Sequence, residues 1–333
     1  MGGRVLAERH HNVDVDRLTR HYRVMCRIRA FETAAEQAQA DGKVGGAIHL
    51  SIGQEAIAAG VCGNLRTSDQ ITTTHRGHGH CIAKGTDPQA MMLELFGRDG
   101  GTCGGKGGSM HIADFSVGML GANGVVAAGI PIAVGAAHGA RLKGEDKIVV
   151  CFFGDGAVNR GPFLEGLNWA GVFDLPVLFV CEANSFASTT RSEDVTAGPG
   201  PSARAQSLGV EAFDVDGNDV VAVDDLAGEL VRRIRVGEGP KFVTARTYRL
   251  KGHTASDLAP YREAAEVEAR WQEDPVARCA ALLGDAGMSD ADLAAIRADA
   301  EAEMAAAVAT AEAAPYPPIA RAFDDIQDVG APA

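Results

Sequence analysis

The chain has 333 residues, of which 46% are hydrophobic, 23% charged and 41 glycine, and its net charge is −13 at pH 7. That composition belongs to a globular protein and excludes disordered and fibrous classes. The acidic balance also argues against nucleic acid or an anionic membrane as the main partner, because gripping phosphates takes clustered Lys and Arg.

Seven cysteines (Cys26, Cys62, Cys81, Cys103, Cys151, Cys181 and Cys279) are scattered without a CxxC pair. This is the pattern of a reducing cytosol, with the thiols serving as packing groups. The amino end lacks the apolar core of a signal peptide, no run approaches the ~18 apolar residues of a membrane span, and Leu6 breaks a myristoylation pattern. A cytoplasmic protein is expected, with His10 and His11 in a fraying terminus and His21 and His138 in ordinary helices.

Residues 16–41 carry Leu18, Tyr22, Met25, Ile28, Phe31, Ala35 and Ala38 at helical spacing, with Gly42 as a stop signal. From Gly45 to Gly129 the chain is rich in glycine and histidine, which predicts mainly loops and helix starts. Residues 130–141 read as a small-residue helix, and the continuous apolar run 147–153 as a strand buried on both faces. After the Gly154-Asp155-Gly156 turn, 162–173 reads as a helix and 175–181 as a second buried strand. Strand, helix and strand make a right-handed parallel unit whose two strand ends share one sheet edge, where open α/β sheets bind ligands. Residues 197–202 read as a mobile surface loop, 241–248 as a third strand, and 260–315 as helical, with Ser289 to Asp292 as a capping box.

That topology lets Asp155 and Asn184 converge. A carboxylate, an amide oxygen and a backbone carbonyl suit Mg²⁺ with substrate phosphates completing its shell. Gly154 and Gly156 would let a phosphate approach the following N–H groups. Taken alone, GDG is equally an ordinary turn with an aspartate cap. The run His75-Arg76-Gly77-His78-Gly79-His80 holds four ionisable groups. A zinc reading lacks an interleaved carboxylate or cysteine and has an arginine in its midst, so imidazoles and guanidinium around an anion are the better chemistry, with a polar surface loop as the plain alternative. Residues 97–109 contain seven glycines but no P-loop ending, since Gly107 follows Lys106. Such a segment brings backbone close to a ligand or another subunit. His253, in a glycine-flanked loop after the third strand, is either a general acid/base or simply solvated.

Together these motifs, THRGHGH, GKGGSMHIAD, GANG, FFGDGAVNRGPFLEGLNWAG, VDGNDVVAV and TYRLKGHTASD, occur in the order expected of one family. From about Tyr22 to Pro275 the chain resembles the alpha subunit of the thiamine diphosphate-dependent decarboxylating component of 2-oxo acid dehydrogenase complexes, in its acetoin and pyruvate dehydrogenase branch. The resemblance implies an α/β thiamine diphosphate-binding fold over residues 46–258, a parallel sheet with helices on both faces, flanked by helical extensions at 1–45 and 259–333. It implies Mg²⁺ held by Asp155, Asn184 and the carbonyl of Phe186. It also implies diphosphate contacts from His75, Arg76, Gly154, Gly156 and Ala157, and an aminopyrimidine held by the main chain at Gly124 and Val126. His253 would stand near the reacting carbon, to stabilise the substrate carbonyl oxygen or help pass the acyl group to lipoamide.

Three departures stand out from that pattern. His75 occupies a position where relatives often have Tyr, Ala183 stands where an asparagine is usual, and Ser185-Phe186 replaces Gly/Arg-Tyr. The glutamate that the cofactor's pyrimidine ring requires is missing from the matching segments, and in this family it belongs to a separate beta chain. An α2β2 assembly with a lipoyl-bearing acyltransferase partner is therefore implied. Two other readings keep the fold: a carboligase or biosynthetic acyl-transfer enzyme using the same cofactor, and a non-catalytic scaffold.

Overall fold

The computed structural model describes residues 14–324, so Leu6, His10 and His11 lie outside it. Helix α1 (Val15–Ala40) begins where the Asp14 carboxylate accepts the Arg17 N–H at 3.0 Å, and it stops before Gly42, whose φ of +72° no β-carbon-bearing residue adopts cheaply. The glycine-rich region is more ordered than its composition predicts. It holds α2 (Glu55–Cys62), strand β1 (Gln70–Thr72), α3 (His78–Lys84), α4 (Pro88–Leu95) and strand β2 (Met119–Gly121). Elements this short leave little periodic signal, and tertiary contacts hold them.

Next come α5 (Gly129–Leu142), β3 (Val149–Gly154), α6 (Gly161–Val172) and β4 (Val177–Ala183), matching the predicted parallel unit. A small hairpin of β5 (Phe186–Ala187) and β6 (Thr190–Arg191) leads to α7 (Ser192–Val195) and α8 (Pro201–Ser207). Then follow β7 (Glu211–Asp216), α9 (Val220–Arg235) and β8 (Lys241–Arg246), and the chain ends in α10 (Ala264–Trp271), α11 (Pro275–Asp285) and α12 (Asp290–Ala313). Ser289 caps α12 as predicted, accepting the Asp292 N–H at 3.1 Å.

Six strands form one parallel sheet in the order β2-β1-β3-β4-β8-β7. Alternation along β3 shows why its sequence is apolar throughout. Val149, Cys151 and Phe153 pack under α5 and α6, whereas Val150 and Phe152 face the opposite core, which includes residues of α1, α9 and α12. Each such fully buried large side chain is worth about 1.5–3 kcal/mol. At Gly166 a β-carbon would stand 2.5 Å from Ile130, so glycine sets the close crossing of α5 and α6. Six of the seven cysteines are buried, in keeping with packing roles. Among the described residues no helix is long and apolar enough to cross a membrane.

Candidate active site

Parallel pairing places Gly154 beside Glu182 and Ala183 beside Arg246, so β3, β4 and β8 all end at one edge. There all eleven residues that the resemblance points to, among them Gly154, Gly156, Ala157 and Phe186, line one cavity of about 550 Å³. Asp155 is buried, and its Oδ2 accepts the Ser185 N–H at 3.0 Å. Burial pushes its carboxyl up, against the lowering influence of the nearby Ser192, of the Ser185 and Gly156 backbone and of the Arg249 charge. A carboxylate strained toward protonation in this way gains from a cation beside it. Asn184 Oδ1 accepts the Phe186 N–H at 3.2 Å, while its Nδ2 donates to Gln54 at 2.8 Å. Gln54 therefore fixes which way the amide faces. An all-oxygen set of this kind fits a hard divalent cation.

Arg76 is 4% exposed and donates to the carbonyls of Leu50 and His253, the latter at 3.2 Å. Burial and then the nearby Arg249 push its guanidinium down to about 10. A buried cation destabilised by another cation fits an anion in the cavity. The rest of the histidine run behaves differently from the anion cluster that sequence suggests. His78 is fully buried between Glu32 at 2.9 Å and Ser109 at 2.9 Å, and His80 is stacked on Phe152 with Thr73 at 2.7 Å. Helix α3 turns both rings into the core, and only His75 and Arg76, ahead of its first turn, face the cavity.

His75 meets two other imidazoles, His49 at 4.4 Å and His253 at 5.7 Å between ring centroids. Burial, reinforced by nearby positive charge, lowers His49 to about 2, His75 to about 3 and His253 to about 4. All three are held in the neutral form, in which each offers one ring N–H and one nitrogen lone pair. The Gly124 to Val126 segment is an exposed part of the cavity lining, beside Met110 and His111. It leaves that side of the cavity open to solvent or to a second chain.

The glycine-rich segment wraps a side chain of its own protein, the fully buried carboxylate of Glu94, which accepts the N–H groups of Cys103, Gly105, Gly107 and Gly108 at 2.7–3.0 Å. A β-carbon at Gly101 would lie 2.5 Å from Glu94 Oε2. Hydrogen bonds to a charged group contribute about 1.5–3 kcal/mol each, so Glu94→Gln should destabilise the chain by about 3 kcal/mol or more. Hydrogen exchange at 103–108 should rise at the same time, and unchanged exchange there contradicts the assignment.

Asp257 organises the loop that carries His253. Its carboxylate accepts the N–H groups of His253 and Ala259 at 2.7 and 2.8 Å and the Tyr261 hydroxyl at 2.7 Å. Tyr261 in turn accepts from the buried Arg249 at 2.9 Å. Burial works to raise the Asp257 pKa, but the bonds from Tyr261, His253 and Ala259 hold it below the usual range. A depressed folded pKa stabilises the loop above the ordinary carboxylate range, and that contribution is lost as pH falls through the folded value. Asp257→Asn should therefore increase proteolysis of the 252–262 loop at pH 7 and abolish the difference in loop protection between pH 7 and pH 3.

His49, Gln54 and Glu94 lie outside the motifs, and Arg249 lies inside one, TYRLKGHTASD, whose chemistry points to His253 rather than to it. His49 sits in an apolar stretch far from its two partners in sequence, and only the fold brings them together. The profile of the dehydrogenase E1 component family matches residues 22–320. The chain is 46% identical over 256 residues to the alpha subunit of acetoin:2,6-dichlorophenolindophenol oxidoreductase of Cupriavidus necator, covering 77% of each chain. It is 48% identical over 241 residues to the same subunit of Bacillus subtilis, covering 72% of each. To the pyruvate dehydrogenase E1 component alpha subunit of Rhizobium meliloti it is 38% identical over 307 residues, 92% of this chain and 88% of that one. The chain belongs to the dehydrogenase E1 component family, in its acetoin and pyruvate dehydrogenase alpha-subunit branch.

Proposed function

We propose that the chain is the alpha subunit of a thiamine diphosphate- and Mg²⁺-dependent dehydrogenase that cleaves acetoin or pyruvate next to its carbonyl and passes the acyl group to lipoamide. The observation that carries this reading is the meeting of Asp155, Asn184, Arg76 and His253 around one cavity at the sheet edge. When bound, the cofactor supplies the electron sink that a carbon–carbon cleavage next to a carbonyl requires. Asp155, Asn184 and the Phe186 carbonyl hold the metal ion. Arg76, His75 and the backbone at Gly154, Gly156 and Ala157 hold the diphosphate, and the main chain at Gly124 and Val126 holds the aminopyrimidine. His253, neutral at pH 7, donates a hydrogen bond to the substrate carbonyl oxygen.

Higher identity to the acetoin enzymes than to the pyruvate enzyme favours acetoin. The open wall at Gly124 to Val126 supports a beta subunit completing the site with the pyrimidine-side glutamate. Exposed Ile132, Leu164, Trp169 and Val172 on α5 and α6 support a subunit contact in an α2β2 assembly. A lipoyl-bearing acyltransferase is the proposed acceptor. Residues 46–258 form the cofactor unit in this reading, with 1–45 and 259–333 as extensions, a division supported by the packing of α1 on α11 and α12. Co-expression with the beta subunit should give acetoin-dependent dye reduction that requires both cofactors. Failure on acetoin, pyruvate and branched 2-oxo acids alike overturns the proposal.

A further inference from the structure

The three-histidine cluster has a second chemistry that holding an anion or donating to a carbonyl does not use. Each of His49, His75 and His253 can offer one nitrogen such that all three lie within 4.8 Å of one another. The rings come from three separate segments, one before α2, one after β1 and one after β8, and they meet edge to face, with His49 and His253 centroids 4.9 Å apart. Nδ1 of His49 and Nδ1 of His253 are both buried without a hydrogen-bond partner, which is uncommon for buried polar atoms. His49 itself is 6% exposed.

We infer that His49, His75 and His253 form an inhibitory site for a borderline transition-metal cation of the Zn²⁺ class. Metal–nitrogen bonds of about 2.0–2.1 Å place tetrahedral ligand atoms roughly 3.4 Å apart. The rings must therefore close by at most about an ångström and a half. An all-imidazole set selects Zn²⁺, Co²⁺, Ni²⁺ or Cu²⁺ over Mg²⁺, which takes oxygen ligands, so the site is chemically distinct from Asp155 and Asn184. The rings are neutral at pH 7, and binding displaces no proton. Arg76 opposes a cation, but its guanidinium is turned to the Leu50 and His253 carbonyls. A cation there occupies the lone pairs of His75 and His253 and blocks the cavity to substrate.

Co²⁺ is the probe, because tetrahedral Co²⁺ absorbs visibly where octahedral Co²⁺ barely does. The full-length chain without thiamine diphosphate should show this absorption with one Co²⁺ per chain, displaced by one Zn²⁺. His49→Gln and His75→Gln should each weaken it by at least about tenfold, whereas His138→Gln and Cys103→Ser, at other metal-capable side chains, should leave it intact. In the reconstituted complex, Zn²⁺ should inhibit reversibly and less strongly as thiamine diphosphate is raised, because the diphosphate also engages His75. No tetrahedral absorption, or the same absorption in His49→Gln and His75→Gln chains with native circular dichroism, overturns the inference. The spectrum is read without cofactor or substrate, so it stands or falls separately from the proposed dehydrogenase activity.

Discussion

Asp155→Asn should lower the affinity of the reconstituted complex for thiamine diphosphate with Mg²⁺ by more than about 100-fold and abolish turnover at ordinary cofactor concentrations. Even partners that only orient a metal's ligands are worth 10–100-fold in affinity, and Asp155 is the one carboxylate in the proposed metal shell. Stability should respond differently. Burial holds the folded-state pKa of Asp155 above its ordinary value, so the ionised form costs stability at neutral pH, a cost that disappears once the group is protonated at acid pH. The amide removes that cost and weakens the hydrogen bond from the Ser185 N–H. Apo stability should stay within about 1 kcal/mol of the parent. A variant that loses cofactor affinity by unfolding would betray itself in the melting curve. The same raised pKa makes protons compete with Mg²⁺, so cofactor affinity should weaken on acidification at a higher pH than an ordinary carboxylate would give.

His253→Gln should cut turnover by about 10²–10⁴-fold, the range for a positioned proton-transfer or hydrogen-bonding group, with a much smaller change in cofactor affinity. The structure separates side chain from loop at this position. Backbone atoms of residue 253 hold the loop, its N–H to Asp257 and its carbonyl to Arg76, while Nδ1 has no partner. Substituting the ring leaves those anchors in place, and stability should change by no more than about 0.5 kcal/mol. Retained turnover in His253→Gln would remove this residue from the reaction. Asp257→Asn offers a contrast, because it disturbs the loop while keeping the imidazole.

Local signals exposed the elements that position this site. Val149 to Phe153 and Val177 to Cys181 are buried on both faces, so their sequences are unbroken apolar runs, and the turn chemistry of Gly154-Asp155-Gly156 marks the edge between them. Strands β1 and β2 span three residues each and leave no such run. Helix α9 is different: Val220, Val223, Leu226, Leu230 and Ile234 form a buried stripe as regular as that of α1, a helical period that its sequence carries openly. The residues that the resemblance points to line the cavity, because their motifs lie at strand ends that the parallel topology gathers, whereas His78 and His80 do not reach it. The residues that sequence left out act through space. His49 joins His75 and His253 across three segments, Gln54 orients Asn184, and Glu94 gathers a loop that composition alone reads as a flexible linker or ligand cradle. Within the histidine run, spacing cannot tell the residue ahead of α3 from the two that its helical turn buries.

Calorimetric titration of thiamine diphosphate with Mg²⁺ into this chain, into its beta partner and into the reconstituted pair tests most directly whether the chain supplies the diphosphate and metal half of a shared site. Tight, saturable binding to the pair, with one cofactor per alpha chain and its loss on Asp155→Asn, is the expected result. A pair that binds no thiamine diphosphate, or binds it equally well with Asp155→Asn, contradicts it.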